Sequence, residues 1–442
     1  MTLLITIVSF VVSLGILIFV HELGHFLLAK RAGVRVEKFS LGFGPKIFGF
    51  RPEGSDTEYV ISALPLGGFV KMTGENPEDD GEEETSDPRA FCNKSVKDRA
   101  LIAAAGPVMN LLLPFLLMPV VYLMGIERPA YQDTKPVVGW VDPEGAAAAA
   151  GVEAGDLITE LNGHSMERWK RVEAYIGINP GTPVDVTVLR ADGHHRFTIT
   201  PTPTGSSGMG YIGIYPPMAP VVAGVSEGFP AAEAGLQEGD QIVAIEGKPV
   251  DHWMQISSAS HANAGTPLRF TIERAGKRFD ATITPQENAE AGGGLIGVLM
   301  PSDTRLKKLG LIDAVREGWG DVVYFVQLTL QVIVKLFSLE LPLKTLGGPV
   351  MIAKVTGQAA QVGIPQLLFL MGLLSVNLGI LNLLPLPVLD GGHLFFLAIE
   401  ALRRGKPVSL RIRAMANNVG IVLLVGFMVV VTFYDVAKIF GG

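Results

Sequence analysis

Cysteine and charged side chains are scarce in this chain, and each shortage excludes a class of protein. Cys92 is the only cysteine among 442 residues, so no disulfide bond can form within the chain. Charged residues make up only 18% of the sequence and the formal net charge is −7, which gives no support to binding of nucleic acid. The mean hydropathy of +0.37 is too high for an ordinary soluble enzyme and predicts membrane spans.

Four long apolar runs are the candidates for membrane-spanning helices. The first, over 3–20, contains no Lys, Arg, Asp or Glu. Because no basic segment precedes it and no small-residue cleavage site follows it, we expect a retained span rather than a signal peptide. The other runs cover 100–126, 367–384 and about 421–434. The stretch over 319–341 mixes polar and charged residues into an apolar sequence, which favours an interfacial amphipathic helix.

Basic residues flank the four runs on one side of the membrane. They follow the first run, precede the second, and separate the third from the fourth: Lys30, Arg31, Arg35 and Lys38; Lys94, Lys97 and Arg99; Arg403, Arg404, Lys406, Arg411 and Arg413. Since basic flanks stay in the cytoplasm, both termini and the long segment between the second and third runs are expected on the opposite side.

The first run continues into His21-Glu22-Leu23-Gly24-His25. On a helix, residues four apart lie on one face, so His21 and His25 can both bind a single Zn²⁺. Glu22 then lies beside the metal, where a carboxylate can take a proton from bound water, as in a metalloprotease. The alternative is a pair of packed or snorkelling histidines at a helix end.

A third zinc ligand is expected from the end of the third run. Pro385 and Pro387 prevent a regular helix there, which leaves Asp390 on irregular backbone at membrane depth. A catalytic zinc site needs three protein ligands and one open position, and His21, His25 and Asp390 complete that count. His393 is the rival for the third place, and Asp390 is preferred because it matches a motif.

Asn377 and Asn382 lie in the same run and leave two interpretations open. Their amides can position a substrate carbonyl or stabilise an oxyanion. They can equally form plain hydrogen bonds between helices.

Two runs of alternating polar and apolar residues, over 34–41 and 58–64, predict a small antiparallel sheet after the first span. The second run leads into Gly67 and Gly68. One interpretation is a hairpin that merely connects spans. The other is a free strand edge near the metal, with Gly67 and Gly68 contacting a substrate that is held in extended form.

The segment from about 137 to 302 contains an internal repeat. The pattern A-G-x-x-x-G-D-x-I-x-x-x-x-G occurs over 150–163 and again over 234–247, and the register carries Trp169 onto Trp253. Each copy resembles a PDZ domain of the bacterial protease type, which binds an extended peptide or a chain end.

A different segment, 75–87, holds eight carboxylates, and a solvated loop is the favoured interpretation over a metal site.

Together these motifs resemble the site-2 protease family of intramembrane zinc metalloproteases. The matching elements are H-E-x-x-H, G-x-G at 42–44, P-L-G-G-F-V-K-M at 65–72, A-G-P-x-x-N at 105–110, the repeat, and N-x-x-P-x-P-x-L-D-G-G-H at 382–393. The resemblance implies zinc ligands His21, His25 and Asp390, the catalytic base Glu22, and substrate contacts at Asn377 and Asn382. It also implies a bacterial inner-membrane enzyme with its active site near the cytoplasmic side and its PDZ domains and termini in the periplasm.

The substrate that this resemblance implies is a single-span anti-sigma factor already trimmed in the periplasm, with remnant signal peptides as a second class. The expected fold is a polytopic α-helical membrane protein with four transmembrane helices, a small membrane-associated β-sheet and two tandem PDZ domains of α+β type. The expected segments are 1–125 for two spans and the sheet, 126–218 and 219–302 for the PDZ domains, 303–365 for an amphipathic helical segment, and 366–442 for the last two spans. Two alternative functions are a membrane-tethered PDZ scaffold with a non-catalytic metal site and a metal-ion transporter.

Overall fold

The computed structural model describes residues 2–75, 86–205, 208–288, 292–301 and 303–440. These residues form two units. The helical unit consists of 2–126, 307–337 and 346–440, and the β-rich unit consists of 127–306 and 338–345.

The helices are numbered in chain order. They are α1 Thr2–Arg31, α2 Val96–Met124, α3 Ala146–Ala150, α4 Trp169–Gly177, α5 Pro230–Glu233, α6 Trp253–Ala262, α7 Leu311–Phe337, α8 Pro349–Val362, α9 Ile364–Asn382, α10 Asp390–Leu402 and α11 Leu410–Phe440, with 3₁₀ turns at Phe91–Asn93, Ala130–Asp133 and Leu343–Thr345.

The strands are β1 Val36–Phe50, β2 Glu58–Met72, β3 Ile126–Pro129, β4 Trp140–Val141, β5 Leu157–Leu161, β6 His164–Ser165, β7 Val184–Arg190, β8 Gly193–Ile199, β9 Thr202–Thr204, β10 Met209–Tyr211, β11 Ile214–Tyr215, β12 Gly224–Val225, β13 Gln241–Ile245, β14 Lys248–Pro249, β15 Leu268–Arg274, β16 Lys277–Ile283, β17 Gln286–Asn288, β18 Gly293–Leu295, β19 Val298–Leu299 and β20 Thr304–Lys307.

Five of the described helices are long and apolar enough to cross a membrane: α1, α2, α7, α9 and α11. The four runs expected to span lie in α1, α2, α9 and α11. The fifth candidate, α7, overlaps the stretch expected as an interfacial helix over 319–341, but it begins at Leu311 and ends at Phe337. It ends where Leu339 takes a left-handed conformation, with φ of 60°, which a helix cannot accommodate.

Helix α1 packs closely against α2 because Gly24 carries no side chain. A Cβ atom at Gly24 would lie 2.4 Å from the carbonyl oxygen of Ala105, so any larger residue would push the helices apart. Helix α9 is joined to α2 by Ser375, whose hydroxyl donates to the backbone oxygen of Asn110 at 2.7 Å. These contacts place the faces of α1, α2 and α9 side by side.

The sheet that follows α1 is antiparallel, as the alternating pattern predicts. The first half of β1 lies between the two halves of β2, so that Leu41 is opposite both Ile61 and Gly68. The chain bends sharply at Gly42, where φ is 92° and a Cβ would lie 2.6 Å from the oxygen of Leu64. The second half of β2 therefore forms an edge of the sheet.

The β-rich unit repeats one structure with an offset of 84 residues. Strands β6-β5-β7-β8 form one sheet and β14-β13-β15-β16 form another with the same order. A buried tryptophan lies in each core, Trp169 in the first repeat and Trp253 in the second. The smaller antiparallel pairs are β4 with β11, β9 with β10, β12 with β19, β17 with β18, and β3 with β20.

An ion pair is also repeated. Arg190 donates to Asp156 at 2.6 Å, and Arg274 donates to Asp240 at 2.6 Å. Each arginine additionally donates to a backbone oxygen of the preceding turn, at Gly151 and at Gly235. The duplication is therefore present in the structure as well as in the sequence.

Candidate active site

Helix α1 carries two buried histidines near its C-terminal end. His21 and His25 are 8% and 9% exposed, whereas Leu3 near the start of the helix is 72% exposed. Their spacing of four residues puts both rings on one helix face. The two Nε2 atoms lie 3.2 Å apart, which shows that both rings point to the same spot.

Asp390 is the first residue of α10, and its side chain reaches the same spot. The backbone over 383–389 is not helical, as the two prolines in this segment predict. Gly391 and Gly392 let the chain turn tightly, because a Cβ at either position would lie 2.2 or 2.3 Å from a backbone oxygen of that segment. The Asp390 carboxylate lies 3.1 Å from Nε2 of His21 and 3.5 Å from Nε2 of His25.

The donor atoms of His21, His25 and Asp390 lie within 4.8 Å of one another. Ligand atoms about 2.1 Å from a tetrahedral Zn²⁺ are about 3.4 Å apart. The two Nε2 atoms are 3.2 Å apart, and they lie 3.1 and 3.5 Å from Oδ2 and Oδ1 of Asp390 respectively, which are all close to that value. Two imidazoles and one carboxylate are also a donor set that zinc prefers, so these residues fit the ion.

Backbone and side-chain groups of α2 orient the two rings. Nδ1 of His25 lies 2.8 Å from the carbonyl oxygen of Ile102. Because a carbonyl oxygen only accepts, Nδ1 carries the proton and Nε2 keeps its lone pair for a metal. The amide of Asn110 lies 3.2 Å from Nδ1 of His21. Gly106 leaves room for both rings, since a Cβ there would lie 2.3 Å from Nε2 of His25.

Glu22 lies next to these residues in a cavity of about 180 Å³. The lining residues come from α1, β2, α2 and α10: His21, Glu22, His25, Gly68, Phe69, Val70, Met72, Glu75, Phe91, Ile102, Ala103, Asp390 and His393. A carboxylate beside a three-ligand metal cluster, in a cavity with room for water, is the arrangement of a hydrolytic metal centre.

The family of this chain follows from its similarity to known proteins. The model of peptidase family M50 matches residues 9–427. The chain belongs to this family.

Relatives in this family are similar along the whole chain. The regulator of sigma-E protease RseP of Escherichia coli K12 is 36% identical over 98% of both chains, and so is its namesake in Salmonella typhimurium. A protein of Neisseria meningitidis that bears the name of a zinc metalloprotease is 35% identical over 99% of this chain and 100% of its own. The chain is thus a site-2 type zinc metalloprotease of the inner membrane, which confirms the predicted family, enzyme class and cofactor.

Solved structures with local similarity are much smaller. A PDZ domain of an SdrC-like protein from Listeria monocytogenes aligns with 21% of this chain and 96% of its own, with 22% identity and a TM-score of 0.18.

In this M50 protease Gly67 and Gly68, which are neighbours in β2, have different surroundings. A Cβ at Gly68 would lie 3.0 Å from Cγ of Glu22, and Gly68 lines the cavity. Gly67 has φ of 123° and faces the ring of Phe43, and it lines a neighbouring apolar cavity instead. Of the two glycines expected to contact substrate, the structure brings only Gly68 to the cluster.

Neither asparagine of α9 lines the cavity. The amide oxygen of Asn377 accepts a hydrogen bond from Thr329 of α7 at 2.6 Å, which is the helix-to-helix bond that the sequence left open as an alternative. Asn382 is the last residue of α9. His393 does line the cavity, but its ring is not part of the three-donor cluster.

Glu75 is a cavity residue that the sequence assigned to a solvated acidic loop. It follows β2 and lines the same cavity as Glu22 and Asp390. Burial raises the pKa of Glu75 to about 7. Residues 76–85 of that acidic segment lie outside the described residues. Only the short distance along the sequence from Glu75 to the P-L-G-G run at 65–68 could have indicated its position.

Proposed function

We propose that this chain hydrolyses a peptide bond inside the transmembrane segment of single-span membrane proteins, with His21, His25 and Asp390 as zinc ligands and Glu22 as the catalytic base. The observation that carries the proposal is the convergence of the three donor groups within 4.8 Å in a cavity that Glu22 shares.

The reaction is metal-assisted amide hydrolysis. Zn²⁺ held by these ligands supplies Lewis-acid polarisation of the substrate carbonyl and lowers the pKa of water. Glu22 accepts the proton of the attacking water and returns it to the leaving nitrogen. The carbonyl oxygen of Ile102 fixes the proton of His25 on Nδ1 and so keeps Nε2 available. Asp390 supplies the anionic ligand.

The edge of the sheet can hold the substrate as an added strand. Residues 68–72 pair with 36–41 on one side only, within the described part of the chain, and Gly68 to Val70 line the cavity. A peptide bond in a helix is shielded by its own hydrogen bonds. A substrate segment that adds to this edge as a strand would expose its carbonyl beside Glu22.

We assign four spans to α1, α2, α9 and α11, and an interfacial position to α7. The basic residues after α1, before α2 and between α10 and α11 support a cytoplasmic location for those flanks. In this orientation the catalytic cluster lies near the cytoplasmic side, and the termini and the β-rich unit lie in the periplasm.

We further assign the two repeats, 126–218 and 219–302, as PDZ domains that select or exclude substrates. Their shared strand order supports this assignment. The substrate class is a single-span anti-sigma factor trimmed beforehand in the periplasm, with remnant signal peptides as a second class. The names of the RseP relatives, regulators of sigma-E, support this choice.

The test is cleavage of a trimmed single-span substrate in proteoliposomes by the purified protein and by Glu22→Gln, with zinc content measured on both. Removal of a general base costs roughly 100-fold or more in rate, so we expect Glu22→Gln to retain zinc and lose cleavage. Equal cleavage by both proteins, or none by either with zinc bound, would favour the scaffold with a non-catalytic metal site.

A further inference from the structure

Helix α2 contains three prolines, Pro107, Pro114 and Pro119. Proline has no backbone N–H, so each one removes the helical donor for the carbonyl oxygen four residues earlier. The affected oxygens belong to Ala103, Asn110 and Phe115. In a membrane-spanning helix such an oxygen needs another partner or a polar cavity.

Two of these oxygens receive donors from neighbouring helices. The hydroxyl of Ser375 in α9 donates to the oxygen of Asn110 at 2.7 Å. The indole nitrogen of Trp319 in α7 donates to the oxygen of Phe115 at 3.1 Å. Both partners are side chains whose geometry suits a displaced helix carbonyl.

The third oxygen, that of Ala103, has no donor from outside α2 among the described residues. Ala103 lines the catalytic cavity together with Glu22, and its neighbour Ile102 directs its own carbonyl to His25. A proline ring inside a helix also clashes with the carbonyl oxygen four residues earlier, which at Pro107 is the oxygen of Ala103. Ala103, whose carbonyl oxygen has lost its helical donor, is therefore one of the residues that line the cavity.

We propose that the backbone carbonyl of Ala103 accepts a hydrogen bond from the nitrogen of the scissile peptide bond. The inference rests on the proposed function and adds a substrate-binding group to it.

The chemistry of the leaving nitrogen explains why a carbonyl suits this place. When Glu22 delivers its proton, the nitrogen gains positive charge and keeps the hydrogen that it already carried. An acceptor oxygen on that hydrogen stabilises the charge as it develops. A carbonyl is far too weak a base to take the proton, so it does not compete with Glu22.

Two transition-state analogues that differ in one atom test the inference on the unmodified enzyme. A peptide phosphonamidate presents P–NH where the scissile nitrogen lies, and the matched phosphonate ester presents P–O. We expect the phosphonamidate to bind about tenfold or more tightly, as one hydrogen bond in a dry site provides. Equal affinities would overturn the inference.

Pro107→Ala restores an N–H that ties up the Ala103 oxygen. We expect this variant to bind the two analogues equally and to cleave the peptide substrate about tenfold more slowly, with zinc retained. Pro119→Ala is the matched control. The carbonyl that loses its helical donor to Pro119 is that of Phe115, and it is already bonded to Trp319. This variant should keep the preference for the phosphonamidate. A preference that survives in Pro107→Ala, or that both variants lose, contradicts the inference.

The outcomes separate this inference from the proposed function. If neither analogue binds and the unmodified protein cleaves nothing, the protease assignment itself fails. If both bind equally and cleavage proceeds, only the role of Ala103 fails. Should Pro107→Ala lose zinc, the comparison on the unmodified enzyme decides alone.

Discussion

The proposed zinc ligands His21 and His25 have hydrogen-bond partners on α2. The amide of Asn110 is fully buried, and in the described part of the chain its oxygen is without a hydrogen-bond donor. A half-turn of the amide, which exchanges its oxygen and nitrogen, brings that oxygen to Nδ1 of His21. His21 then donates from Nδ1 and keeps the lone pair of Nε2 for the proposed zinc ion, as His25 does through its bond to Ile102.

Loss of this support should weaken zinc binding. We expect Asn110→Ala to lower zinc affinity about 10- to 100-fold, because groups that orient a ligand contribute that much. Competition with a chromogenic chelator measures the affinity. Asn377→Ala removes a similar amide that pairs with Thr329 and should leave zinc affinity unchanged. An unaltered affinity in Asn110→Ala would show that His21 needs no orienting partner.

At the scale of elements, the turn from α9 to α10 brings Asp390, the proposed third ligand, to the two histidines. Gly391 allows the start of α10 to fold back onto Leu384, whose oxygen would lie 2.2 Å from any added Cβ. This contact is with backbone, which cannot move aside as a side chain can.

Gly391→Ala should therefore displace Asp390. We expect loss of most bound zinc and of cleavage, measured by metal analysis and by substrate turnover. Gly426→Ala in α11 is the control, since a Cβ there has nothing within 4 Å, and it should retain both. Full zinc occupancy in Gly391→Ala would mean that the turn has more freedom than its contacts indicate.

The sequence predicts most of these elements and only part of the site. The four-residue spacing of His21 and His25 puts them on one helix face by geometry alone, and hydropathy locates the apolar helices. The choice between Asp390 and His393 could not be derived, because it depends on the path of a turn between two prolines. Glu75 was assigned to solvent because the pattern of charges around it carries no information about which carboxylate faces a cavity.

At the scale of the whole molecule, each repeat of the β-rich unit contains an ion pair between a buried aspartate and a partly exposed arginine. Although burial raises the pKa of Asp240, hydrogen bonds from Arg274 and from the backbone of Gln237 hold that pKa below its usual range. A depressed carboxyl pKa stabilises the folded state above the ordinary Asp value of about 3.9. This contribution is lost as the pH falls below that value toward the folded pKa.

Asp240→Asn should remove this contribution at neutral pH. We expect the second repeat to lose roughly 1–3 kcal/mol of unfolding free energy, since charged hydrogen bonds are broken, and the difference from the unmodified protein to shrink below about pH 4. Urea titration of the full chain, followed by hydrogen exchange in segment 268–283, measures this. Glu273→Gln breaks the exposed pair with Arg278 and should cost little. If Asp240→Asn and the unmodified protein differ in unfolding free energy by the same amount at every pH, the lowered pKa of Asp240 is contradicted.

The partners of α1 and α2 come from distant parts of the sequence, which matters while the chain is being synthesised. Ser375, which donates to α2, and Asp390, which completes the cluster, are both synthesised long after His21 and His25. Until α9 and the start of α10 have been synthesised, the oxygen of Asn110 lacks the Ser375 donor and the two histidines lack the Asp390 carboxylate. A chain that has not been synthesised as far as Asp390 therefore lacks the third donor of the cluster, so the cluster forms only after most of the protein has been made.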